Sequence, residues 1–344
     1  YSESEYISAR TQEKEPLYDV VTQKLDKIFS ALPKHETKRQ LHALDRYTWR
    51  HFLARTFSKK ELTIANDIYS AEYGASIAEV SALLPVHEHF SGGKTMHMDL
   101  HVKGGNSLLM DALARSIGKS HIHLEHIVTN IVQDEHGVVV VCANGRVWLA
   151  KKLLVTTPLT LLKDISFTPK LPSKIAAYEK SLRYGDIIKV TLVFPSRFWS
   201  KENFAELSGG LAQYVFHTTQ LQKGKRGALT IYAVGARADK LARMSMSAVW
   251  KELKVALPKE MDTKGIKPER MVRHFWKEDS FAKGAYAYYQ PHQEEDIQSV
   301  FSEPFLHTYF SGEHVGKYQG FMEGAAQSGF DRAHDIIAVL KKQR

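Results

Sequence analysis

"SGEHVGKYQGFMEGAAQSG", residues Ser311–Gly329, is the stretch on which the reading of the fold turns. The apolar run "FLHTYF" precedes it and a long helical pattern follows it to the chain end. This order predicts a strand ending at Gly312-Glu313, a glycine turn and a helix beginning near Gly320. The start of such a helix offers unpaired N–H groups and a positive dipole end, which suit a ligand that is or becomes anionic. Gly320 and Gly324 leave room for a flat ring to approach the backbone. Glu313 is either an acceptor for two hydroxyls of a ribose or ribityl chain, or a surface charge beside a tight turn.

Working outward, "HFWKEDSFAKGAYAYYQP" sets Trp276, Tyr286, Tyr288 and Tyr289 around a kink at Gly284-Ala285. Such aromatic density is either core or a wall for a planar cofactor and an amine. In "YGDIIKVTLVF" a period of two puts Ile187, Lys189, Thr191 and Val193 on one face and Ile188, Val190, Leu192 and Phe194 on the other. Lys189 then either snorkels from an edge or is kept for chemistry, since burying its charge is costly.

Residues from Leu17 to about Glu79 read as a helical lobe, free of glycine up to Gly74. Beyond it, Gly104-Gly105-Asn106 opens a helix carrying Leu108, Leu109 and Leu113. Short strands follow, with an Asn144-Gly145 hairpin turn. "ALTIYAVG" reads as a strand, and "ARADKLARMSMSAVWKELKVAL" as one amphipathic helix. The histidines of "VHEHFSGGKTMHMDLH" (His87, His89, His97 and His101, with Glu88 and Asp99 nearby) are split by a glycine pair, and no metal site is expected from them. Neither a Walker loop nor a Gly-x-Ser-x-Gly elbow occurs.

The 344 residues carry a net charge of +9, but their lysines and arginines are scattered without a run of five. The charge therefore reads as solvation and steering, with no nucleic-acid partner expected. One cysteine, Cys142, excludes an intrachain disulfide, and no run reaches the ~18 apolar residues of a membrane span. The start, "YSESEYISARTQEKEP", has neither Met nor a signal-peptide core. The expectation is a piece of a longer protein whose address is unknown, with the cytoplasm as default.

Four segments in order resemble the flavin-dependent amine oxidases, that is, the monoamine, polyamine and L-amino acid oxidases. They are "VKGGNSLLMDALARSIG" with "LEHIVTNI"; "VVTTPLTLL" with "ISFTPKLP"; "YGDIIKVTLVFPSRFW"; and "FWKEDSFAKGAYAYY" with "YFSGEHVGKYQGFMEGAAQSG". The resemblance implies an α/β fold of mixed α+β character: an incomplete Rossmann-like FAD-binding domain with an inserted substrate-binding domain. The implied division is 1–88 as the helical part of the substrate domain, 89–165 as FAD-binding, 166–280 as substrate-binding and 281–344 as the FAD-binding end with its closing helix. It further implies Glu313 on the ribityl chain, with Gly320 and the Met322 N–H near the ring's carbonyl edge. Val128 would meet the adenine through its backbone, and Thr157-Pro158 would line the cofactor. Lys189 would hold a water beside the flavin and Trp276 would flank the ring, while Tyr286 and Phe321 would wall the amine.

Three departures qualify these expectations. Ala285 lies where covalently flavinylated members carry cysteine, so FAD is expected to be non-covalent. Phe321 replaces a tyrosine. No Gly-x-Gly-x-x-Gly is present, so the first dinucleotide-binding unit is expected from a lost segment or a separate chain. The activity implied is oxidation of primary amines or L-amino acids by O2 to an imine, then a carbonyl and ammonia, with H2O2 released. The basic balance favours a carboxylate-bearing substrate. A polyamine oxidase and a non-catalytic scaffold subunit are the alternatives, and a homodimer is a further possibility for the assembly.

Overall fold

A computed structural model describes residues 5–9, 11–32, 40, 43–92, 102–200, 205–220 and 222–342. His97, Asp99 and His101 lie outside them. The fold is mixed α/β, as the sequence led one to expect. The chain separates into two compact units, one of residues 1–92 with 183–295, the other of 93–182 with 296–344.

The first unit is built on a six-stranded sheet. Its order is Glu5–Ile7, Ala205–Ser208, Tyr214–His217, Gly227–Val234, Ile187–Phe194 and Arg270–Phe275, antiparallel except for the first pair. The period of two in "IIKVTLVF" holds: Ile188, Val190, Leu192 and Phe194 are fully buried, while Lys189 is exposed. The buried face packs with Leu241, Val249, Trp250 and Leu253. These come from two helices, Ala236–Ala242 and Met246–Ala256, where the sequence predicts one. The break has a local cause. Ser245 takes extended geometry and its side chain accepts from Ala248 N–H, capping a second helix start.

The helix Lys59–Tyr73 is fixed to this sheet. Ser58 and Glu61 form a reciprocal capping box at its start. At its middle the buried Asp67 accepts from Tyr6 Oη at 2.7 Å and from Arg237 at 2.6 Å. Gln213 Nε2 donates to the Asp67 carbonyl and to Ser70 Oγ. Gly74, at φ +71°, ends the helix in the left-handed region that glycine accepts without strain.

In the second unit a four-stranded sheet runs Val147–Ala150, Val138–Cys142, Val128–Gln133, Ser166–Thr168, and the Asn144-Gly145 turn joins its first two strands as expected. A parallel pair, Leu153–Val155 with Thr308–Phe310, lies beside it through Gln133, whose Oε1 accepts from His307 N and Thr308 Oγ1. The last helix spans Met322–Lys342. No described helix is long and apolar enough to cross a membrane.

Candidate active site

The sheet face of the first unit turned away from helices Ala236–Ala242 and Met246–Ala256 gathers several residues singled out by sequence. Lys189 sits between Tyr232 on one neighbouring strand and His274 on the other. Its Nζ lies 5.8 Å from the centroid of Trp276, within cation–π range. His274 meets the Trp276 ring edge-on at 4.5 Å. Although Lys189 is solvent-accessible, the protein around it removes water from its ammonium and holds it below the ordinary lysine range.

Tyr286 follows the kink that the sequence marked. Ala285 N donates to Gly185 O, and Gly185 N to Tyr286 O. Gly185 must be glycine here, because a Cβ would stand 2.5 Å from the Gly74 carbonyl and 2.7 Å from that of Ala285. This close approach ties the end of helix Lys59–Tyr73 to Tyr286, whose hydroxyl donates to the Glu72 carbonyl and lies 3.3 Å from Tyr232 Oη. Trp276 and Tyr286, with Tyr214, Phe216 and Ala71, pack against Ile187, Tyr232 and Val234. Tyr288 and Tyr289 are buried and belong to the core.

Sequence reasoning missed Tyr232, His274 and Glu72. Alternation within "ALTIYAVG" already sets Thr230 beside Tyr232 on one face, yet only the strand register puts Tyr232 next to Lys189. Glu72 carries a carboxyl raised by burial first and by the charge of Glu88 second. Burial also raises Glu88, against the Tyr73 hydroxyl that donates to it at 2.7 Å.

The remaining sites lie in the second unit. Ser311 N donates to Val155 O at 3.0 Å, so Thr157-Pro158 and Gly312-Glu313 leave the same end of two parallel strands side by side. In open α/β sheets ligands bind outside that end. The strand stops at Phe310, short of the expected Glu313, which instead opens a single helical turn; the long helix starts at Met322. Glu313 Oε2 accepts from Gly320 N at 2.9 Å and so shapes the turn before that helix. Gly324 is a correction to the sequence reading. A Cβ there would meet the Tyr318 carbonyl at 2.0 Å, so the space is filled by this chain's own backbone, not kept for a ring. Phe321 is half-buried, Gly320 has φ +80°, and Met322 is exposed. Val128 stands apart on the four-stranded sheet, paired with Cys142 beside a bulge.

These residues fit the flavin end of FAD. Two strand ends lie side by side, a helix start follows them, and buried Ser311 Oγ has no hydrogen-bond partner among the described residues. The glycine-rich pyrophosphate loop is not in this sequence. Among the described residues no three His, Cys, Asp or Glu side chains gather as a metal site.

The chain belongs to the flavin containing amine oxidoreductase family, which it matches over residues 12–337. FAD is the cofactor that this membership brings. A probable flavin-containing monoamine oxidase A of Dictyostelium discoideum is 24% identical over 274 residues, 76% of this chain and 60% of that protein. The flavin-containing amine oxidase B of Homo sapiens is 26% identical over 246 residues, 70% of this chain and 47% of that one. The chain thus spans about half the length of the curated relatives it matches. Among solved structures, putrescine oxidase bound to putrescine superimposes with a TM-score of 0.81 at 19% identity, covering 98% of this chain and 81% of that one. Cyclohexylamine oxidase from Brevibacterium oxydans superimposes at 0.78 and 20% identity, covering 98% and 81%. At these identities the likeness is one of fold.

Proposed function

We propose that the protein is an FAD-dependent oxidase of primary amines. The first unit would bind the amine and the second the flavin. The observation that carries this reading is Lys189: an ammonium on the sheet face that holds Trp276 and Tyr286, short of water, set between Tyr232 and His274 and within reach of Trp276. When bound, FAD supplies the acceptor for two electrons from the amine's α-carbon and passes them to O2. This chain's residues would place the reactants. Tyr286, held by Glu72 and Tyr232, would orient the amine. Trp276 would shield the reacting face, and Lys189 would hold a water there. Glu313, Gly320, Met322, Thr157 and Pro158 would line the flavin, and Val128 the adenine. The product would be an imine, hydrolysed to a carbonyl compound and ammonia, with H2O2 formed from O2.

The relatives' names speak for amines, and Tyr286 hydrogen-bonds the backbone of Glu72, an acid, with no arginine or lysine among its printed partners. Both considerations favour an amine over the amino acid that net charge alone suggested. The test is the visible spectrum of the protein purified from its native source, before and after anaerobic addition of n-butylamine. Flavin bands that bleach with the amine are expected. A protein that stays colourless with added FAD would sink this reading in favour of a scaffold subunit. Because Ala285 offers no thiol, acid precipitation should leave all flavin in solution.

A further inference from the structure

Lys189 and Trp276 meet where the sheet ends. Strand Arg270–Phe275 is the last in the order and pairs with Ile187–Phe194. His274 stands on it directly opposite Lys189, and Trp276 follows two residues on, in the single turn Trp276–Glu278. On its inner side Lys189 has Tyr232, 8% exposed, and further strands behind it. On its outer side no strand follows, and His274 and Trp276 form that flank. Burial alone holds Lys189 below the ordinary lysine range, with no charged neighbour acting on it. What keeps water from the ammonium is therefore steric, and on the outer flank it is these two rings.

The backbone of Trp276 is fixed. Its carbonyl accepts from Gly284 N at 2.8 Å and from Asp279 N at 3.2 Å, and Lys277 beside it donates to Asp186 at 2.6 Å. The indole packs with Ile187, Tyr232 and Val234 and meets the His274 ring edge-on at 4.5 Å, a favoured aromatic geometry. His274 is itself aimed. Its Nε2 lies 3.3 Å from Asp279 Oδ2, while Asp279 Oδ1 accepts from Phe281 N at 2.8 Å and so is set by its own turn.

We propose that His274, aimed by Asp279, is a positioning residue of this site: its ring holds the Trp276 indole beside the Lys189 ammonium and closes the sheet edge to water. The consequence for the reaction rests on the amine-oxidase reading, in which Lys189 holds one water for the step with O2. A fully hydrated ammonium shares its three donors among exchanging waters and keeps none of them in place.

NMR titration of protein labelled with 13Cε-lysine, with Lys189→Met to assign the signal, reads the placement without turnover. In the wild type the Lys189 signal should titrate below the other lysines. His274→Ala should move it up among them, while His274→Phe, which keeps a ring beside Trp276, should leave it low. In the flavin-loaded protein with n-butylamine, His274→Ala should slow the step with O2 about fivefold and leave the amine's KM within about twofold, and His274→Phe should restore most of the rate. A Lys189 titration that is ordinary in the wild type, or the same in wild type and His274→Ala, overturns the inference, whatever the variant's melting temperature. Equal losses in His274→Phe and His274→Ala overturn it too, since the ring would not be what acts. If the flavin-loaded wild type fails to oxidise n-butylamine, the amine-oxidase reading falls, while the titration still decides the role of His274.

Discussion

The two units solve the burial problem differently. In the first, one sheet face is sealed under helices Ala236–Ala242 and Met246–Ala256, and the opposite face carries Lys189. In the second, helix Ser107–Ile117 buries none of its residues and leaves Leu108, Leu109, Leu113 and Ile117 at least 44% exposed. Strand Val147–Ala150 is exposed throughout, and the 21-residue last helix buries only Gly324. A sealed sheet face holds its side chains in register without outside help, whereas an uncovered helix face adds little to stability until something binds it.

The largest expected effect follows directly from this contrast. Leu192→Ala should cost about 3 to 4 kcal/mol, as for a fully buried leucine, while Leu109→Ala should stay within about 0.5 kcal/mol. Urea denaturation of both variants checks the pair. A comparable cost at Leu109 would show that its face is covered in solution, and the contrast would fail.

Protons should separate the units as well. Burial holds His314 of the second unit down at about 4, against an ordinary 6.5, so the folded form keeps the ring neutral. Its contribution is therefore present above pH 6.5 and lost as pH falls through about 4, at most about 3 kcal/mol. Glu72 and Glu88 of the first unit are raised, so their contribution has the opposite sign: present below the ordinary carboxylate value and lost as pH rises. Hydrogen exchange should thus loosen residues 308–325 in acid and residues 69–88 in alkali. Exchange that quickens in both segments on the same side would contradict the assignment.

Legibility in the sequence followed the range of the interactions. Alternation is local, so "IIKVTLVF" disclosed both faces of its strand, and the aromatics around Gly284-Ala285 marked Trp276 and Tyr286. Strand order is not local. Nothing near Lys189 in sequence points to Tyr232, which lies 43 residues away and meets it only through the antiparallel register Tyr232↔Lys189. The same limit hid Glu72, whose place depends on Gly185 admitting the Gly74 and Ala285 carbonyls. A serine within a helical pattern is ambiguous, so the sequence predicts one helix where the Ser245 cap starts a second. Gly324 does admit a close neighbour, but that neighbour is the Tyr318 carbonyl, since the space beside a glycine carries no label in sequence.

The smallest effect in energy bears most directly on the account. Lys189→Met keeps length and apolar volume, so a lysine that only snorkels would tolerate it. Stopped-flow measurement of both half-reactions in the flavin-loaded protein separates the two roles. The account expects the rate with O2 to fall at least about tenfold, equivalent to ~1.4 kcal/mol of barrier, with anaerobic reduction by amine less affected and the melting temperature nearly unchanged. An unchanged rate with O2 would make Lys189 a structural residue and contradict the claim that the sheet face carrying Lys189 is where the chemistry occurs.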